Sequence, residues 1–99
     1  MATVYIAEYA NPPFFQGSYF QAPKDPPLAE QTVAIGGAST QSAAFNTKTR
    51  LIRIHTDAIC SIAVGSNPTA TTGKARMAAG QTEFQAVNPG DKIAVITNV

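Results

Sequence analysis

Charge is scarce in this sequence. Asp, Glu, Lys and Arg make up 13% of its 99 residues and leave a formal net charge of +1, about half the charged fraction of an ordinary soluble domain. Binding nucleic acid through its phosphates needs clustered Lys and Arg. The one local excess, Lys48, Arg50 and Arg53, is not a clean stripe, because at strand spacing Lys48 and Arg50 share a face that Arg53 opposes. Cysteine and histidine are scarcer still. Cys60 stands alone, so no internal disulfide can form, which fits a reducing compartment. His55 is the only histidine, and no second His or Cys exists to complete a usual zinc set. Long apolar runs are also missing. Glu8 interrupts the only candidate near the amino terminus, so neither a secretory signal nor a membrane span is expected. Asn46 lacks a hydroxyl residue two places on and Asn67 precedes Pro68, which excludes an N-glycosylation acceptor. No segment sustains a helical period.

Aromatics and prolines are present, and they are segregated. Tyr5, Tyr9, Phe14, Phe15, Tyr19 and Phe20 supply most of the aromatic side chains and fall in the first twenty residues, beside Pro12, Pro13, Pro23, Pro26 and Pro27. Proline fixes φ and lacks an amide donor, so this stretch is expected to be an extended arm and not a helix or a central strand. The six aromatics are candidate interface anchors, set either on another subunit or back over the chain's own body. Residues 1–30 are accordingly assigned to a first strand and docking arm, and 31–99 to a body expected to fold without them. A body this small commonly leans on oligomerisation for stability.

Along the chain, Thr3 to Tyr9 alternates as a strand with its tyrosines on one face, and Thr32 to Ile35 is a second strand ending at Gly36 and Gly37. Ala38 to Thr47 reads as a strand edge or a loop. Thr49 to Thr56 is the clearest strand, with Ile52 and Ile54 opposite Leu51, Arg53 and His55. Asp57 and Ala58 form a turn, and Ile59 to Val64 is expected to return beside it as a hairpin. Gly65 to Arg76 is a polar loop. Thr82 to Val87 and Lys92 to Thr97 flank Asn88-Pro89-Gly90-Asp91, which has the residues of a type II turn, and are expected to form a second hairpin. Ile93 to Ile96 is apolar on both faces, so it should be covered on both, within the fold or by a neighbouring subunit. The fold expected is all-β, a small sandwich or jelly-roll-like barrel.

No reaction is legible. His55, Asp57 and Cys60 are the only cluster with ligand or nucleophile chemistry, and they lack a completing group. Pro68 to Ala75 resembles a phosphate loop but has Pro where Gly is needed and Ala where Ser or Thr is needed. The carboxylates are scattered, with no pair at catalytic spacing. Neither catalytic residue, metal nor cofactor is therefore assigned.

The stretch from Thr49 to Ile96 resembles small virion proteins of tailed bacteriophages. The residues concerned are Arg50-Leu-Ile-Arg-Ile-His-Thr-Asp57, Ile62-Ala-Val-Gly65, Asn67-Pro-Thr-Ala-Thr71, Met77-Ala-Ala-Gly80-Gln-Thr-Glu-Phe84 and Lys92-Ile-Ala-Val-Ile96. The likeness consists of fold positions and carries no site residues. It implies a non-enzymatic β-sandwich protein of the particle, assembled in the host cytoplasm, with capsid decoration (cement) the first expectation and a tail or head-to-tail component the next. The implied partners are the major capsid protein or another virion protein and further copies of this chain, with neither nucleic acid nor membrane. A glycan- or receptor-binding module using Tyr9, Tyr19 or Phe20 as stacking platforms is the competing expectation.

Overall fold

The computed structural model describes residues 2–10 and 26–98, together with the backbone of Phe14–Phe15 and Ser18–Tyr19. The strands in chain order are β1 (Thr3–Tyr9), β2 (Phe14–Phe15), β3 (Ser18–Tyr19), β4 (Ala29–Ala34), β5 (Thr40–Gln41), β6 (Leu51–Thr56), β7 (Cys60–Gly65), β8 (Ala75–Met77), β9 (Thr82–Ala86) and β10 (Lys92–Thr97). No helix occurs among the described residues. A first sheet has the order β4-β1-β6-β9 and a second the order β5-β10-β7-β8, every neighbouring pair being antiparallel. The all-β fold is thus a two-layer sandwich.

Period-two alternation places the core between the layers. Val4 and Ile6 of β1, Val33 of β4 and Ile52 and Ile54 of β6 face Cys60 and Ile62 of β7, Met77 of β8 and Ile93 and Val95 of β10. Phe45 enters the same cluster from the segment joining β5 to β6. Each large side chain so buried contributes about 1.5–3 kcal/mol.

Both expected hairpins are corrected. β6 and β9 belong to the first sheet while β7 and β10 belong to the second, so each connection crosses between the layers. The turns themselves form where expected. At Asp57 the Thr56 hydroxyl donates to the Ala58 carbonyl at 2.6 Å and accepts from the Ala58 amide at 3.3 Å. At the other corner the Asp91 amide donates to the Asn88 carbonyl at 3.2 Å, with Gly90 at a φ of 82°, as the third position of a type II turn requires. Type II twist splays flanking strands where the mirror-image turns would keep them paired. At β6 the reason is occupancy, since β1 and β9 already take both of its edges.

The boundary at residue 30 is corrected as well. β1 is an interior strand, paired with β4 from Thr3↔Ala34 to Glu8↔Ala29 and with β6 from Val4↔Thr56 to Tyr9↔Leu51. Residues 3–9 are therefore part of the body, and the residue-30 boundary cuts β4. What remains of the arm is the connection between two paired strands, in which Phe14↔Tyr19 and Phe15↔Ser18 make a short β2–β3 ladder. Phe20 and the side chains of Phe14, Phe15 and Tyr19 lie outside the described residues.

The two outer faces differ. On the second sheet Ser61, Ala63 and Ala94 point outward, and Ser61 and Ala94 are fully buried. The polar loop expected at Gly65 to Arg76 covers them. Gln41 Nε2 donates to Asn67 Oδ1 at 2.9 Å and to the Pro68 carbonyl at 2.7 Å, the Ala70 amide donates to Ser39 Oγ at 2.9 Å, and Asn98 Nδ2 bridges Ser61 Oγ and the Thr72 carbonyl. Ala94, on the outward side of β10, is thus covered by the chain itself, while Ile96 on the same side is half-buried.

Candidate functional site: the outer face of the first sheet

Nothing comparable crosses the outer face of the first sheet among the described residues. The registers set out its rows. Thr32, Tyr5, His55 and Thr82 form one, Glu30, Ala7, Arg53 and Phe84 the next, and Tyr9, Leu51 and Ala86 a third. Of the three exposed large apolar side chains among the described residues, two project from this face, Tyr5 at 45% and Phe84 at 53% exposure. Leu28, the third, sits beside the end of β1, where its amide donates to the Glu8 carbonyl.

The short Ala7 side chain leaves a depression of about 320 Å³ walled by Tyr5, Glu30, Thr32 and Arg53. Glu30 and Arg53 flank Ala7 on opposite sides, two strand spacings or roughly 10 Å apart at the backbone. Among the described residues neither has an ionic or hydrogen-bonding side-chain partner. Tyr5 lies against His55, with ring centroids 6.4 Å apart and planes tilted by 42°, and His55 Nδ1 is 2.8 Å from Thr82 Oγ1. The face therefore offers aromatic side chains beside a depression, with the Arg53 cation and the Glu30 anion at defined positions, and aromatics and Arg are enriched in docking surfaces.

The side chains with catalytic chemistry are occupied elsewhere. Alternation turns Glu8 inward with Val4 and Ile6, where it is 2% exposed. Its Oε1 accepts from the Asn46 amide at 2.8 Å and from Thr49 Oγ1 at 2.9 Å, and its Oε2 accepts from Gln31 Nε2 at 3.1 Å. Cys60 is fully buried in the core. Burial pushes its thiol up, the hydrogen bond to Thr56 offsets part of this, and the Glu83 carboxylate adds to the rise. His55 faces out from the first sheet whereas Cys60 points inward from the second, so the cluster of His55, Asp57 and Cys60 does not converge. Among the described residues no group of three His, Cys, Asp or Glu is placed to hold a metal.

Of the expected anchors, Tyr5 is exposed and Tyr9, on the same face, is buried at 7% exposure. Arg53 stands on the side of β6 expected of it, opposite Ile52 and Ile54, whereas nothing had pointed to Leu28 and Phe84 as surface features. Phe84 had a signal, being a lone aromatic flanked by Glu83 and Gln85 in a strand otherwise polar or small. In comparisons with known proteins, no family model, no curated protein and no solved structure matches the chain.

Proposed function

We propose that this chain is a non-enzymatic structural protein that docks onto a larger protein assembly through the outer face of its first sheet. The observation that carries the reading is the asymmetry of the sandwich. One outer face is sealed by the chain's own loop, while the other presents Tyr5 and Phe84 with Leu28 at its corner. Exposed aromatics grouped on one face are anchors for a protein partner. The occupied state of Glu8, the raised thiol of Cys60 and the outward setting of His55 support a role without chemistry.

The setting supported by the sequence resemblance is the virion of a tailed bacteriophage, with the chain as a capsid decoration protein bound to the major capsid protein. Quantitative mass spectrometry of purified particles from the source tests it. Copies in a fixed ratio to the major capsid protein are expected, and particles lacking the chain would overturn the virion setting. Docking itself is tested by Tyr5→Lys, which places a charge on the exposed face; added to stripped particles, it should bind at least tenfold more weakly than the parent. Equal binding would overturn the assignment of this face.

A further inference from the structure

We infer that β9 is the contact through which two copies of this chain associate, each adding its β9 antiparallel to the other's first sheet across a two-fold axis at Phe84. β9 is the last strand of that sheet. Its hydrogen-bonding phase follows from the bonds that bracket it. The Val87 amide donates to the Arg50 carbonyl at 3.0 Å and the Thr56 amide to the Gln81 carbonyl at 3.2 Å. With the register running from Leu51↔Ala86 to His55↔Thr82, the groups directed at β6 belong to Gln81, Glu83, Gln85 and Val87. The amides and carbonyls of Thr82, Phe84 and Ala86 consequently point away from the sheet.

Those three residues are evenly spaced about Phe84, so a two-fold axis there sets Phe84 against its own copy and Thr82 against Ala86 of the other. Every outward donor and acceptor is then matched. On the outer face the half-exposed Phe84 ring meets its counterpart, and on the inner face Glu83 stands across from Gln85, a carboxylate opposite an amide donor. No like charges are opposed.

The other edges carry the protections that keep sheet edges from pairing. β5 is two residues long. β8 is three, and the same operation would set Arg76 against itself close to Lys74. β4 directs Glu30, Thr32 and Ala34 outward, by the phase of the bond from the Ile35 amide to the Ala2 carbonyl. Its approach is guarded by Pro26 and Pro27 and by the charge of Glu30. The outward residues of β9 include neither a charge nor a proline. This contact is separate from the depression around Ala7 and holds whether or not a larger assembly is the partner.

Charge exchange on the axis tests it, with the full chain studied by sedimentation velocity and its fold followed by circular dichroism. The parent is expected to sediment as a dimer, and Phe84→Lys and Phe84→Glu each as a folded monomer, because each variant sets like charges face to face. Their equimolar mixture should return to the dimer mass. Thr32→Lys, at the equivalent point on the opposite edge, should leave the dimer intact. A parent monomeric up to its solubility limit, a dimer that survives both charge variants, a mixture that fails to reassociate, or dissociation by Thr32→Lys alone would each overturn the assignment.

Discussion

Replacing Glu8 tests whether a buried carboxylate organises one end of the sandwich or merely sits there at a cost. Its three donors come from separate parts of the chain, namely Gln31 on β4 and Asn46 and Thr49 in the segment before β6. In Glu8→Gln the retained oxygen still serves Asn46 and Thr49, but the new amide confronts Gln31 Nε2. Gln31 cannot simply turn over, because its Oε1 accepts from the Ala43 amide at 3.0 Å while its Nε2 reaches the Ala43 carbonyl at 3.3 Å. One charge-assisted bond becomes a donor facing a donor, a loss of about 2 kcal/mol. Glu8→Ala strands all three donors and empties the site, at about 3–5 kcal/mol, a large part of the ~5–15 kcal/mol that holds a domain together. Urea unfolding followed by circular dichroism reads both, and the double variant Glu8→Gln with Thr49→Val should show a coupling of about 1 kcal/mol. The opposing physics is desolvation, since removing a buried charge can stabilise. If Glu8→Gln were as stable as the parent or more so, desolvation would be the dominant effect and the organising role refuted.

Three further outcomes follow from the fold. Deleting residues 1–30 should unfold the chain, because it removes an interior strand, whereas replacing 11–25 with a short Asn-Gly turn should keep the sandwich, since β1 and β4 already pair antiparallel; circular dichroism of the two forms decides. Gly90→Ala, at a φ of 82° with open space around its Cβ, should cost about 1–2 kcal/mol of backbone strain, while Gly36→Ala, equally open but without that backbone, should be neutral or slightly stabilising. Cys60 should resist a thiol reagent until the chain unfolds. Because its folded pKa is raised, the unfolded thiol releases its proton first, so its contribution to stability is full below about pH 8.5 and lost as pH rises through the folded value; a stability-pH curve of Cys60→Ala should show a shallower alkaline fall.

The strands were legible and their partners were not, for a physical reason that β6 and β7 illustrate. Alternation of Ile52 and Ile54 with Leu51, Arg53 and His55 states which side of a strand is buried, and the structure agrees. It does not state whether the next strand lies beside that one or across the core from it, because an inward face is equally apolar either way. Choosing between them needs the non-local fact that β1 and β9 occupy both edges of β6. β1 has the bounds expected of it, Thr3 to Tyr9, but its place between β4 and β6 was hidden for a related reason. The prolines that follow it suggested a detached arm, but proline constrains only its own residue and the one before, and Thr3 to Tyr9 contains none.

The candidate face was half legible by the same logic. Tyr5 on the outward side of β1 follows from period two alone, yet so does Tyr9, and only one of them is exposed. Exposure of an outward residue depends on what the rest of the chain lays over it, and among the described residues the covering loop lies on the opposite sheet. Small residues mark that choice in retrospect. Ser61, Ala63 and Ala94 leave room for a loop to lie flat on the second sheet, whereas Tyr5, Arg53 and Phe84 would hold any such segment away from the first. An outer face lined with small side chains is thus one prepared for cover by its own chain. A face carrying large aromatics beside the depression at Ala7 is prepared for a surface that brings its own relief, which is why docking belongs to the first sheet and not the second.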